Sequence, residues 1–93
     1  MDLAENAFRN MLALKETPDV MNNLAYVLRR AERLQEANAL QASVLEKYAS
    51  SNVLSERLEV FLAMKALASA GYGGNDRGKV FDKTLDEIGR AHV

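Results

Sequence analysis

The chain has 93 residues, enough for one small domain with a modest core. Apolar residues make up 48% and charged residues 27%, a balance that excludes disorder because the apolar surface can offset the entropy of ordering. Twelve Lys and Arg stand against 13 Asp and Glu, a net charge of -1, so nothing pulls the chain toward nucleic acid or acidic membrane; with no cysteine, disulfides and thiolate zinc sites are excluded too. Met1-Asp2-Leu3-Ala4-Glu5-Asn6 lacks the basic start and continuous apolar stretch of a signal peptide. No apolar run approaches the roughly 18 residues of a membrane span, so the expectation is a cytoplasmic protein without a membrane partner.

Ala, Leu, Glu, Arg, Lys, Gln and Met dominate, residues that lose little on entering a helix, and no segment alternates with period two. The expectation is all-α, with five helices. The first spans about Leu3 to Lys15: Leu3, Ala7, Met11 and Leu14 recur at helical spacing with Ala4, Phe8 and Leu12 beside them, and Asp2 with Glu5 resembles a capping box. Thr17-Pro18 ends it and starts the second, Pro18 to Ala31, since proline suits the first helical turn and Asp19 the positive end of the dipole. Met21, Leu24, Ala25 and Leu28 form its apolar face, and Arg29 and Arg30 close it. The third runs from Leu34 to Tyr48, with Ala37, Leu40, Val44 and Leu45 inward; the polar break Ala49-Ser50-Ser51-Asn52 follows. The fourth runs from Val53 to Ala70, where Leu54, Leu58, Phe61, Leu62, Met64 and Leu67 cover so wide an arc that burial between neighbours is expected. After the loop Gly71-Tyr72-Gly73-Gly74-Asn75-Asp76, the fifth runs from Gly78 to Arg90 with Val80, Phe81, Leu85 and Ile88 on one face and Gly89 weakening its end.

Met21-x2-Leu24-Ala25-x2-Leu28 is followed nine residues later by Ala37, where close helix approach needs a small side chain. Ala4-x3-Phe8 with the later Pro18 repeats that second-helix pattern, and Ala4 and Ala37 stand 33 residues apart. Residues 18–48 thereby resemble a tetratricopeptide repeat, whose period is about 34. Gln41 departs from the pattern, standing where the family usually has an aromatic. Residues 1–17 look like the second helix of a preceding repeat. Residues 53–90 look like a degenerate third unit, with Leu58 and Leu62 at two key sites but Glu59 where a small residue belongs. The resemblance implies antiparallel helical hairpins stacked as a short right-handed solenoid, one domain over residues 1–93. With about two and a half units, it implies either a domain cut from a longer solenoid or two copies paired through exposed ends.

Motifs for chemistry are weak. Gly73-Gly74-Asn75-Asp76-Arg77-Gly78-Lys79 reads like a phosphate-binding loop, but Val80 replaces the magnesium-ligating Ser or Thr and the loop follows a helix rather than a strand. Phosphate or nucleotide binding there ranks a distant third among functions. His92, the single histidine, has no second His or Cys with which to build a transition-metal site. The pairs Glu32/Glu36 and Asp82/Asp86, one turn apart, read as solvated faces. No cofactor, metal or catalytic residue is expected.

In the tetratricopeptide family the first helix of each hairpin lines a concave peptide groove. The resemblance therefore implies a protein-interaction module with Asn22, Asn23, Tyr26, Arg29 and Arg30 facing the groove, joined by Arg57 with Glu56 beside it. Asn can bond both N–H and C=O of an extended backbone, Arg can grip a carboxylate with two N–H groups, and Tyr offers an apolar ring with a polar tip. Asn23 and Arg57 match two members of the family's carboxylate clamp; its lysines have no counterpart, Val53 standing where one belongs. The alternative is a structural module that self-associates or docks within a larger protein.

Overall fold

A computed structural model describes residues 3–72 and 77–91, with the side chains of 77–81 and 91 left out of the description. Among the described residues the chain is five helices and no strand: α1 (Leu3–Leu14), α2 (Pro18–Arg30), α3 (Leu34–Tyr48), α4 (Leu54–Ser69) and α5 (Arg77–Ala91). The expected limits of α3 and the expected starts of α1 and α2 match, and the remaining limits differ by one residue.

The ends follow local chemistry. Thr17 occupies the extended N-cap position of α2 but its side chain makes no cap bond. Its hydroxyl bonds Asp19 instead, whose carboxylate also takes backbone N–H groups of Asp19 and Val20; that set holds the Asp19 carboxyl below its ordinary pKa. α2 and α4 close the same way. At the end of α2, Arg33 N–H bonds the Leu28 carbonyl at 2.9 Å and Glu32 N–H bonds that of Arg29 at 3.0 Å. At the end of α4, Tyr72 bonds Leu67 at 3.0 Å and Gly71 bonds Ala68 at 3.1 Å. Both are Schellman closures with a left-handed residue after the cap. Gly71 takes that position, φ 68°, without strain; Glu32, φ 62°, carries a side chain there, costing on the order of 1 kcal/mol.

α2 is the hub: it packs against α1, α3 and α4. α2 and α3 form an antiparallel hairpin. α4 lies beside both and runs in the direction of α2, since Asn22 near the start of α2 meets Glu59 while Arg29 near its end shares a hollow with Ala66, Ser69 and Ala70. α5 rests on α4 over a shorter stretch. One core cluster joins α2, α3 and α4 through Met21, Val44, Leu45, Val60, Ala63 and Leu67, and Ile88 of α5 reaches it. A second joins Leu24, Ala25, Leu28 and Ala37, with Phe8 and Leu12 of α1 packed on it. Ala25 and Ala37 are both fully buried, as their small size at a helix crossing requires.

Two faces differ from expectation. α1 docks through Glu5, Phe8 and Leu12, while Leu3, Ala7, Met11 and Leu14 point to solvent. α4 is not covered on most sides: Val60, Ala63 and Leu67 are buried, but Leu54, Leu58, Phe61 and Leu62 are exposed. The cause is common to both. Each helix has two apolar arcs, and among the described residues its neighbours cover only one of them.

Candidate interaction surface

α2 has neighbours on three sides, so only a narrow strip of it reaches solvent: Asp19, Asn23, Tyr26 and Arg30, spaced three and four residues apart and thus on one line of the helix. Tyr26 is 60% exposed, and the Arg30 guanidinium sits 5.7 Å above its ring centre while Nη1 donates to the Tyr26 hydroxyl at 3.0 Å. The pair holds a flat ring and a cation in a fixed relation at the surface.

Asn22 and Arg29 lie elsewhere, in a seam between α2, α3 and α4. Asn22 is buried and donates through Nδ2 to the Glu59 backbone carbonyl and to Glu59 Oε1, both at 2.9 Å. Its Oδ1 accepts from Gln41 Nε2 at 3.1 Å. Gln41 Oε1 in turn accepts from Arg29 Nε at 3.2 Å and Nη2 at 2.7 Å, and Nη2 also donates to Asn38 Oδ1 at 2.7 Å. Burial lowers the Arg29 pKa from its ordinary value, and a guanidinium stays protonated in proteins. Among the described residues no buried side-chain polar atom lacks a partner.

Of the six groove residues read from the sequence, the structure thus brings Asn23, Tyr26 and Arg30 together on one exposed strip and builds Asn22 and Arg29 into the packing beneath it. Arg57 is half-buried and lies about 200° around α4 from Glu59, the residue that meets α2. Glu56 accepts from the Ser51 hydroxyl at 2.6 Å, and Ser51 Oγ also accepts the Val53 N–H at 3.1 Å, ordering the turn before α4.

The valley between α2 and α4 is graded in charge. At the helix N-termini a hollow is lined by Asp19, Ser55, Glu56 and Glu59 together with Lys15. At the other end Arg29 lines a hollow with Leu34, Asn38, Ala66, Ser69 and Ala70, while Arg30, on the exposed strip, also borders a hollow with Ala4, Val27 and Ala31. Leu62, one turn beyond Glu59, and Leu58 put apolar surface on the α4 flank. Sequence reasoning missed the seam residues Gln41, Asn38 and Glu59 as partners of Asn22 and Arg29.

No group of His, Cys, Asp and Glu among the described residues could hold a metal ion, and none of the described helices is long and apolar enough to cross a membrane. The Gly73–Asp76 part of the loop, His92, and the side chains of Lys79 and Val80 lie outside the described residues. Comparison with protein-family models, curated proteins and solved structures returned no match.

Proposed function

We propose that this chain is a non-enzymatic, cytoplasmic protein-binding module of tetratricopeptide-like architecture that holds an extended peptide segment of another protein along the α2–α4 valley. The observation that carries the reading is the exposed strip Asn23–Tyr26–Arg30 on a helix otherwise covered on three sides. A buried scaffold beneath it, the Asn22–Gln41–Arg29 seam, keeps α2 from shifting, which limits the ordering cost of capture. The parallel run of α2 and α4, the α2–α3 hairpin and the buried Ala25/Ala37 contact support the tetratricopeptide-like arrangement.

The charge gradient sets the ligand's direction. A basic group sits by Asp19 and Glu56, a carboxylate by Arg30, an apolar side chain on Tyr26 or Leu62, and Asn23 bonds the peptide backbone. The test is selection from a displayed peptide library, followed by calorimetry with the selected peptides. Tyr26→Ala and Arg30→Glu are each expected to weaken binding tenfold or more, on the scale of interface hot spots of about 2 kcal/mol, without lowering the melting temperature. A library that enriches nothing for the wild type over the Tyr26→Ala/Arg30→Glu double variant would remove the groove reading.

A further inference from the structure

The outer face of α1 carries the two most exposed large apolar side chains among the described residues. Leu3 and Leu14 are 86% and 88% exposed and Met11 46%, with Ala4 and Ala7 also open. At 3.6 residues per turn, Leu3, Ala7, Met11 and Leu14 fall within about 80° of one another, a continuous stripe along the helix. The helix docks by its less apolar side, so this stripe is not residual surface left by an imperfect fit.

We propose that this face pairs with the same face of a second copy of the chain, the two α1 helices lying antiparallel across a two-fold axis. Three observations choose that occupant. First, the stripe has a palindromic size pattern. Run antiparallel, Leu3 meets the partner's Leu14 and Ala7 meets the partner's Met11, so a small residue faces a large one and the ends match, as an isologous contact requires. Second, the exposed arc, Leu3, Ala4, Ala7, Asn10, Met11 and Leu14, carries no charge. The charged side chains of α1, Glu5 and Arg9, are engaged on or beside its docked side with Arg33 and Glu36. A two-fold contact sets like against like, so a charge-free patch suits self-pairing and offers nothing to select an acidic or basic partner. The exposed stripe of α4 fails this criterion, because Lys65 lies one turn beyond Phe61 within it and self-pairing would press an ammonium onto the partner's leucines.

Third, the area is right for a reversible pair. The stripe offers on the order of 500 Å² per copy, the size of the largest apolar patch a monomer leaves open, which is often a functional one. Two copies would bury about 1,000 Å², the lower edge of specific interfaces, which fits a dimer that forms and dissociates with concentration. The pairing does not depend on the groove. Were both present, one particle would carry two α2–α4 valleys and bind a bivalent partner with added avidity.

Sedimentation velocity from low micromolar to near-millimolar protein tests the proposal. The wild type is expected to pass from monomer to dimer and stop there. Met11→Arg and Leu14→Arg, both at exposed positions and checked for unchanged helicity by circular dichroism, are expected to stay monomeric, while Phe61→Arg dimerises like the wild type. Since the chain has no cysteine, orientation can be read directly. A mixture of Ala7→Cys and Met11→Cys proteins should cross-link to each other more efficiently than either does to itself. A wild type monomeric throughout, loss of the dimer in Phe61→Arg with retention in Met11→Arg, growth beyond the dimer, or preferential Ala7→Cys self-linking would each overturn the pairing.

Discussion

At the scale of single residues, Gln41 does the most for the arrangement of helices. Its amide bridges Asn22 on α2 and the Arg29 guanidinium, and through Asn22 the chain of bonds reaches Glu59 on α4. A buried polar group without a partner costs about 1–3 kcal/mol, and removing Gln41 leaves the buried Asn22 Oδ1 without one and takes two bonds from Arg29. Gln41→Leu is therefore expected to destabilise the fold by about 2–3 kcal/mol, whereas Asn38→Ala, which removes one of several bonds to a partly exposed Arg29, should cost less than half as much. Urea unfolding of the two variants measures this; equal losses would mean that the seam is not cooperative. The seam also answers what the sequence left unexplained. Asn22 lies 19 residues before Gln41 and 37 before Glu59, and only the folded chain shows that the three side chains meet. The helical period of α2 places Asn22 beside Asn23 with nothing local to say which is buried, so assigning both to one groove was the natural reading and the distinction between them was not legible.

At the scale of elements, helix positions and the inward faces of α2 and α3 were legible, while the faces of α1 and α4 were not. Pro18, the Ser50–Asn52 break and Gly71 mark ends that any sequence window reveals, because they act on backbone angles of adjacent residues. Which arc of α1 or α4 is covered depends on what lies beside it, and both helices have two apolar arcs to choose from. In α4 the buried triad Val60, Ala63, Leu67 repeats the spacing of Met21, Leu24, Leu28 in α2, and the Schellman closures that follow confirm that register. In α1 the choice is made by ions. Buried Glu5 accepts from Arg9 Nε at 2.9 Å and Arg33 Nη1 at 2.6 Å, and Glu36 accepts from Arg33 Nε at 2.9 Å and Nη2 at 2.8 Å and from Arg9 Nη2 at 3.3 Å. This closed ring of two carboxylates and two guanidinia clamps α1 to the α2–α3 turn. The Arg33 hydrogen bonds hold the Glu36 carboxyl below its ordinary pKa. A carboxyl depressed in the folded state contributes stability that is complete above the unfolded value, near pH 4.3, and is lost as pH falls through the lower folded value. Urea midpoints should accordingly hold from neutral pH to about pH 5 and decline below pH 4. The Glu36→Gln variant should start lower and decline less steeply; parallel curves would show that Glu36 is not coupled to folding.

At the scale of the whole molecule, the dimensions 41 × 30 × 15 Å describe a slab. A slab cannot gather its apolar residues into one central mass, so stability resides in the seams between neighbouring helices and varies along the row. Two core clusters and the Gln41 seam bind α2, α3 and α4, whereas α1 contributes one buried residue, Glu5, and two half-buried apolar ones, Phe8 and Leu12. Such a stack opens from its ends, because detaching a terminal helix exposes one interface and detaching an interior helix exposes two. Amide hydrogen exchange should therefore rank α2 and α3 as most protected, exchanging only through global unfolding, with α1 exchanging through a local opening of lower free energy. Glu5→Gln removes a buried charge that answers two arginines and should accelerate exchange throughout α1 while leaving α3 at its wild-type rates. Exchange that rose equally in α1 and α3 would mean that the chain opens as one unit and that the ionic ring stabilises the whole rather than docking its first helix. If α1 instead pairs with its counterpart in a second copy, its protection should also rise with protein concentration while that of α3 does not. Measuring both helices across a dilution series would then separate the docking of α1 onto its own chain from its pairing with another.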